Sequence, residues 1–117
     1  MQSVKELDVY KLTFEMTIRL YKIVASFPKN ETFNLVSQMQ RAAISINSNL
    51  AEGGSRGTTG EYKHFVGIAR GSASELAYQI EISKDLGFIN DGDYKYLSET
   101  LDRIGQMLSG LIKKLSQ

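Results

Sequence analysis

The sequence predicts an all-α protein, a single-domain four-helix bundle of the up-down-up-down kind. Two observations carry that expectation. Apolar residues recur at steps of three and four along four long stretches, the period of a helix face. The punctuation between them is short and holds the chain's single proline, which disfavours a turn-rich β fold. A chain of 117 residues is large enough for one real core and too small for two. No internal repeat or low-complexity tract interrupts it.

The first helix is expected over 5–27. Val9, Leu12, Met16, Leu20, Ile23 and Phe27 form one stripe, and Tyr10, Phe14, Thr17, Tyr21 and Val24 form another beside it. So wide an apolar arc suits a helix that touches more than one neighbour. Pro28 ends it, because proline disfavours helical geometry at the preceding residue. The second helix is expected over 31–53, with an N-cap near Asn30 to Thr32 and a stop at Gly53-Gly54, where a left-handed residue can close the last turn.

Helix three is expected over 59–86. Thr58-Thr59-Gly60-Glu61 reads as a capping box at its start, and Gly87 as its stop. Asn90-Asp91-Gly92-Asp93 opens a fourth helix over 91–115. There Leu97, Leu101, Ile104, Leu108, Leu111 and Leu115 alternate steps of four and three in a heptad-like seam.

Composition bounds the function. With no cysteine, disulfides and thiolate metal sites are excluded. No apolar run is long enough to span a bilayer, and the first residues lack the apolar core of a secretion signal. The expectation is a cytoplasmic protein with no membrane partner. A net charge of +1, with Lys and Arg scattered among acids, counts against strong electrostatic binding of nucleic acid by a monomer. An oligomer can still group cations by symmetry, and Arg56, Lys63 and Arg70 near the second connector are the candidates.

Helix two is the most unusual segment. Leu35, Met39, Ala43, Ile46 and Leu50 form its core stripe, yet Arg41, Ser45, Asn49 and Glu52 sit on or near the edge of that stripe. Polar groups near a core are costly unless paired. In helix three, Phe65, Ala69, Ser72, Leu76 and Ile80 are the expected centre, and Glu75 falls on a side widened by Ile68, Ile82 and Leu86. One reading pairs Glu75 with Arg41 and groups Ser45, Asn49, Glu52 and Ser72 into a polar network locking helices two and three. The other sends Glu75 to solvent at the bundle edge. Gly71-Ser72 is expected to mark close packing, and Ile44, opposite the core stripe, is either a tolerated surface residue or part of a subunit interface.

Catalytic signals are poor. Glu61-Tyr62-Lys63-His64 has the Glu-x-x-His spacing of di-iron bundles, but His64 is the only histidine, so the required second motif cannot exist. Ser-His-Asp arrangements would all rest on His64. The Gly53–Gly57 stretch lacks the Gly-Lys-Ser/Thr of a phosphate loop. No enzyme activity, cofactor, metal or small-molecule substrate is expected.

Taken together, these residues resemble the four-helix-bundle family first noticed in intervening sequences of bacterial 23S ribosomal RNA. The resemblance rests on Phe27-Pro28, Glu31, Leu35, Gln38, Arg41-Ala42-Ala43, Ser45-Ile46, Asn49-Leu50-Ala51-Glu52-Gly53 and Arg56. It continues through Phe65, Ile68-Ala69, Gly71-Ser72, Glu75-Leu76 and Leu86-Gly87. Asn47 stands where the family often has proline, and an early tryptophan is replaced by the Val9-Tyr10 region. The resemblance implies a homopentamer around a central axis. One markedly basic branch serves diversity-generating retroelements by binding a reverse transcriptase and nucleic acid. The expectation is therefore a non-enzymatic, self-assembling scaffold associated with RNA or ribonucleoprotein. The alternative is an adaptor for a locally encoded protein partner, without direct nucleic-acid contact.

Overall fold

The computed structural model describes residues 3–117. A 3-10 turn, Val4–Glu6, precedes α1, Asp8–Val24. A second 3-10 turn, Lys29–Glu31, and a π turn, Thr32–Val36, lead into α2, Ser37–Ser55. Then come α3, Thr59–Asp85, and α4, Asp91–Leu115. Short connectors hold successive helices antiparallel, giving an up-down-up-down bundle of 44 × 24 × 20 Å. Each helix packs on its two neighbours in the cyclic order α1, α2, α3, α4.

The fourth helix has the expected bounds. The Asn90 Oδ1 accepts the Asp93 N–H at 2.8 Å. Asp91 and Asp93 lie in the first turn and Lys113 and Lys114 in the last, each matched to the helix dipole. At the start of α3 the Thr58 Oγ1 accepts the Glu61 N–H at 3.2 Å. Glu61 makes no reciprocal bond among the described residues, so half of the capping box forms. The other end of α3 closes through Gly87 at φ +77°, with Gly87 N–H on the Lys84 carbonyl and Phe88 N–H on that of Ser83.

The first two helices depart from expectation. Helix one is α-helical only over 8–24; its end tightens into i→i+3 bonds, Ser26 to Ile23 and Phe27 to Val24, before Pro28. Helix two has no side-chain N-cap. Instead the Pro28 carbonyl takes the Glu31 N–H at 2.9 Å, and the wider π turn follows, with both Leu35 and Val36 in the core. Nor does it stop at Gly53-Gly54. The α2 helix continues through both, and the left-handed residue is Gly57 at φ +90°. The physical reason is proximity: a Cβ on Gly53 would lie 2.7 Å from Phe65 Cβ and 3.2 Å from the Tyr62 carbonyl. Gly53 lets α2 and α3 touch.

The expected stripe of α2 is buried throughout, as are Leu97, Leu101, Ile104 and Leu108 of α4. The third helix is rotated about its axis relative to expectation. Tyr62, Val66, Ala69, Ala73, Leu76 and Ile80 are buried, whereas Phe65 and Ser72 are half-buried and Ile68 and Leu86 are exposed. Apolar residues surround much of α3, so their spacing did not select one face.

Candidate functional site

Three of the expected polar residues meet between α2 and α3. The Ser45 and Ser72 hydroxyls are 2.9 Å apart, and the Asn49 amide donates to Ser45 Oγ at 2.9 Å and to the Ser45 carbonyl at 2.8 Å. All three are half-buried, so this is a small, satisfied cluster across the interface.

The charged residues lie outside it. Arg41 and Glu75 are both exposed, and no ion pair joins them among the described residues. Rotation of α3 carries Glu75 to solvent, where a carboxylate needs no protein partner. Glu52 is also exposed; it holds Arg56 at 2.9 Å, one turn further on. Gly71 does not mark close packing either, since a Cβ there would meet nothing within 4 Å.

A different polar contact ties α1 to α2. The Asn47 amide donates to the Tyr10 carbonyl at 3.0 Å. Asn47 occupies the position where the resemblance anticipates proline, and that departure was its one signal in the sequence. Thr13, also unanticipated, is fully buried in α1 with its Oγ1 unpartnered among the described residues.

The nucleic-acid candidates separate. Arg56 is engaged by Glu52 and lies over the Phe65 ring at 4.9 Å. Lys63 and Arg70 instead share a shallow, solvent-open notch of 580 Å³ with Gly60, His64, Gly67, Ile68 and Ile112. The Arg70 guanidinium also donates to Ser109 Oγ at 3.3 Å, bridging α3 to α4. His64 and Ile112 were not grouped with these cations by sequence, because only the antiparallel α3–α4 pairing brings Ile112 across.

The outer surface of α1 carries a run of exposed apolar residues. Phe14, Ile18 and Tyr21 follow at steps of four and three, 56%, 48% and 42% exposed, and Ile44 of α2 is 49% exposed. Phe14, Ile18 and Ile44 line a 310 Å³ groove between α1 and α2 with Tyr10, Ala43 and Asn47. Phe14 and Ile18 also border a 690 Å³ groove on the other side of α1, toward Asp93 of α4. Elsewhere, Tyr78 of α3 and Leu86 just past its end are exposed as well. Single exposed apolar residues are ordinary, but a contiguous group marks an interaction surface.

Ionisable groups add little chemistry. Burial pushes the Tyr62 hydroxyl above its ordinary value. A hydrogen bond from the Lys84 ammonium, and then its charge, hold Asp91 below the usual carboxylate range. Among the described residues no group of three or more His, Asp or Glu side chains could hold a metal ion. Nor, among the described residues, is any helix long and apolar enough to cross a membrane.

Residues 5–110 match the family model of the 23S rRNA-intervening sequence protein. The chain belongs to that family. Its fold is shared by a solved structure from Bacteroides thetaiotaomicron, described as a protein of unknown function from the S23 ribosomal protein family. That structure is 21% identical, covers 90% of this chain and 95% of its own, and has a TM-score of 0.82. No curated protein matches. Family membership and fold agree on architecture, and neither points to catalysis.

Proposed function

We propose that this member of the family is a non-enzymatic, self-assembling bundle, built as a homopentamer, that acts in the cytoplasm as a scaffold associated with RNA or ribonucleoprotein. The observation that carries the assembly part is the ridge Phe14, Ile18 and Tyr21 with Ile44 beside it. Tyr78 of α3 and Leu86 at its end are exposed on the helix diagonal to α1 in the bundle, so a second apolar surface stands apart from the α1 ridge. Two distinct surfaces are what a head-to-tail ring needs, whereas a two-fold dimer uses one patch twice. The pentamer number follows the family resemblance. The RNA part is supported by Lys63 and Arg70 in one notch, repeated in every copy.

Light scattering combined with size exclusion tests assembly: a single species above monomer mass is expected, and Phe14→Ser with Ile18→Ser should dissociate it while the monomer stays helical. A clean monomer at micromolar concentration overturns the assembly reading. RNA affinity should fall steeply with added salt. An intact oligomer that binds no RNA even at low salt favours the protein-binding adaptor instead.

A further inference from the structure

Three properties of the notch on α3 are not explained by packing within the bundle. Its cations are not neutralised: among the described residues neither Lys63 nor Arg70 has an acidic partner, whereas Arg56 is held by Glu52. Two of its lining residues, Gly60 and Gly67, carry no side chain. They stand seven residues apart on one side of α3, and a Cβ at either would meet nothing within 4 Å. Glycine weakens a helix interior, so the bundle alone gives no reason for Gly67. Its walls are partly apolar, formed by exposed Ile68 and half-buried Ile112 with the His64 ring, which is set edge-on to Phe65 at 5.4 Å.

We infer that this notch takes a single-stranded nucleic-acid segment rather than a duplex, with phosphate against Lys63 and Arg70 and a base over the bare Gly60–Gly67 surface. The inference rests on the RNA part of the proposed function and specifies the form of the ligand. Charge and shape decide between the two forms. A chain of net charge +1 has little to offer a ligand that presents only phosphates. A duplex would meet the cationic rim and leave the Gly60–Gly67 surface empty, because its bases are stacked inside. A single strand can add base contacts with apolar and ring surfaces, which supply much of the affinity in proteins that bind unpaired strands. The 580 Å³ of the notch falls within the range of about 300–1,000 Å³ typical of sites for small ligands, a scale that fits unpaired nucleotides.

Fluorescence anisotropy with a short labelled single-stranded RNA, the same sequence as a duplex, and free AMP as competitor provides the test. Wild-type protein should bind the single strand at least ~10-fold tighter than the duplex, a difference of the size that base stacking supplies. Gly67→Leu, which fills the notch on an exposed helix face, should lower single-strand affinity by about 10-fold with helicity unchanged by circular dichroism. Gly67→Ala should give a smaller loss in a helix that is if anything firmer. Lys63→Gln with Arg70→Gln should weaken binding and shallow its salt dependence by about two phosphate contacts. Equal affinity for duplex and single strand, or unchanged single-strand binding by Gly67→Leu, overturns the inference while leaving RNA association standing. Gly67→Leu that alters oligomer size but not RNA affinity also overturns it, and assigns the glycines to assembly. AMP competing as tightly as the strand overturns the choice of a polymer. No binding of any RNA at low salt removes the RNA reading itself.

Discussion

Two glycine-to-alanine substitutions, identical in chemistry, should move stability in opposite directions. At Gly67 the added methyl meets open space, so Gly67→Ala should stabilise the bundle by up to about 1 kcal/mol, the ordinary helix-propensity gain. At Gly53 the same methyl would stand 2.7 Å from Phe65 Cβ and 3.2 Å from the Tyr62 carbonyl. Both of those atoms are rooted in the α3 backbone and cannot swing aside, so the two helices must separate. Overpacking of this kind costs about 1–3 kcal/mol, and the propensity gain of about 1 kcal/mol offsets part of it. The net expectation is a loss of up to about 2 kcal/mol for Gly53→Ala, placing the two variants roughly 1–3 kcal/mol apart. Urea unfolding followed by circular dichroism measures both, at one protein concentration because assembly would shift the midpoint by mass action. Two variants shifting in the same direction by similar amounts would refute the close approach of α2 and α3 at this point.

Other expectations follow from single contacts. Ser72→Ala should cost about 1 kcal/mol, and a double-mutant cycle with Ser45→Ala should show coupling of similar size, since the two hydroxyls bond each other; zero coupling would dissolve the cluster. Thr13→Val should stabilise by about 1 kcal/mol in thermal or urea unfolding, because the buried Oγ1 has no partner to lose. Asn47→Ala should destabilise by about 1 kcal/mol by the same measurements, through the lost bond to the Tyr10 carbonyl. Asp91 is held below its ordinary value by Lys84, so its contribution is present above the unfolded carboxylate range and fades as pH falls through the folded value. The stability gap between wild type and Asp91→Asn should therefore narrow on acidification below about pH 4.

How much of this could be read from the chain varies by element. The α4 seam was legible, because its leucines and Ile104 lie on one stripe and Asn90 caps it, although Leu111 and Leu115 at its end are only half-buried. The core of α2 was legible for the same reason. On α3, Phe65, Val66, Ile68 and Ala69 place apolar groups around most of the helix, so periodicity could not say which of them turns inward. The two readings of Glu75 followed from that ambiguity, and the structure has the second, a carboxylate at the solvent edge rather than one paired with Arg41. Gly53-Gly54 misled differently. Adjacent glycines signal a stop in local sequence, but their reason here is an approach by residues of the next helix. Of the polar cluster, Ser45 and Asn49 share a helix face and could be paired by spacing, whereas Ser72 joins them only through the helix pairing itself.

The unequal grip of the four helices has a consequence for how the protein opens. The α2 and α3 helices meet through small residues and a glycine contact and share the most extensive interface, whereas α1 touches α2 and α4 much more sparingly. Local opening draws on such weakly held elements first. Amide protons of α1 should thus exchange ahead of those in the α2–α3 hairpin. Yet α1 is also the helix that displays Phe14, Ile18 and Tyr21. In the proposed ring, burying that ridge against a neighbouring copy would lend the least secure helix the packing its own chain withholds, and ring closure and the ordering of α1 would then be one thermodynamic event.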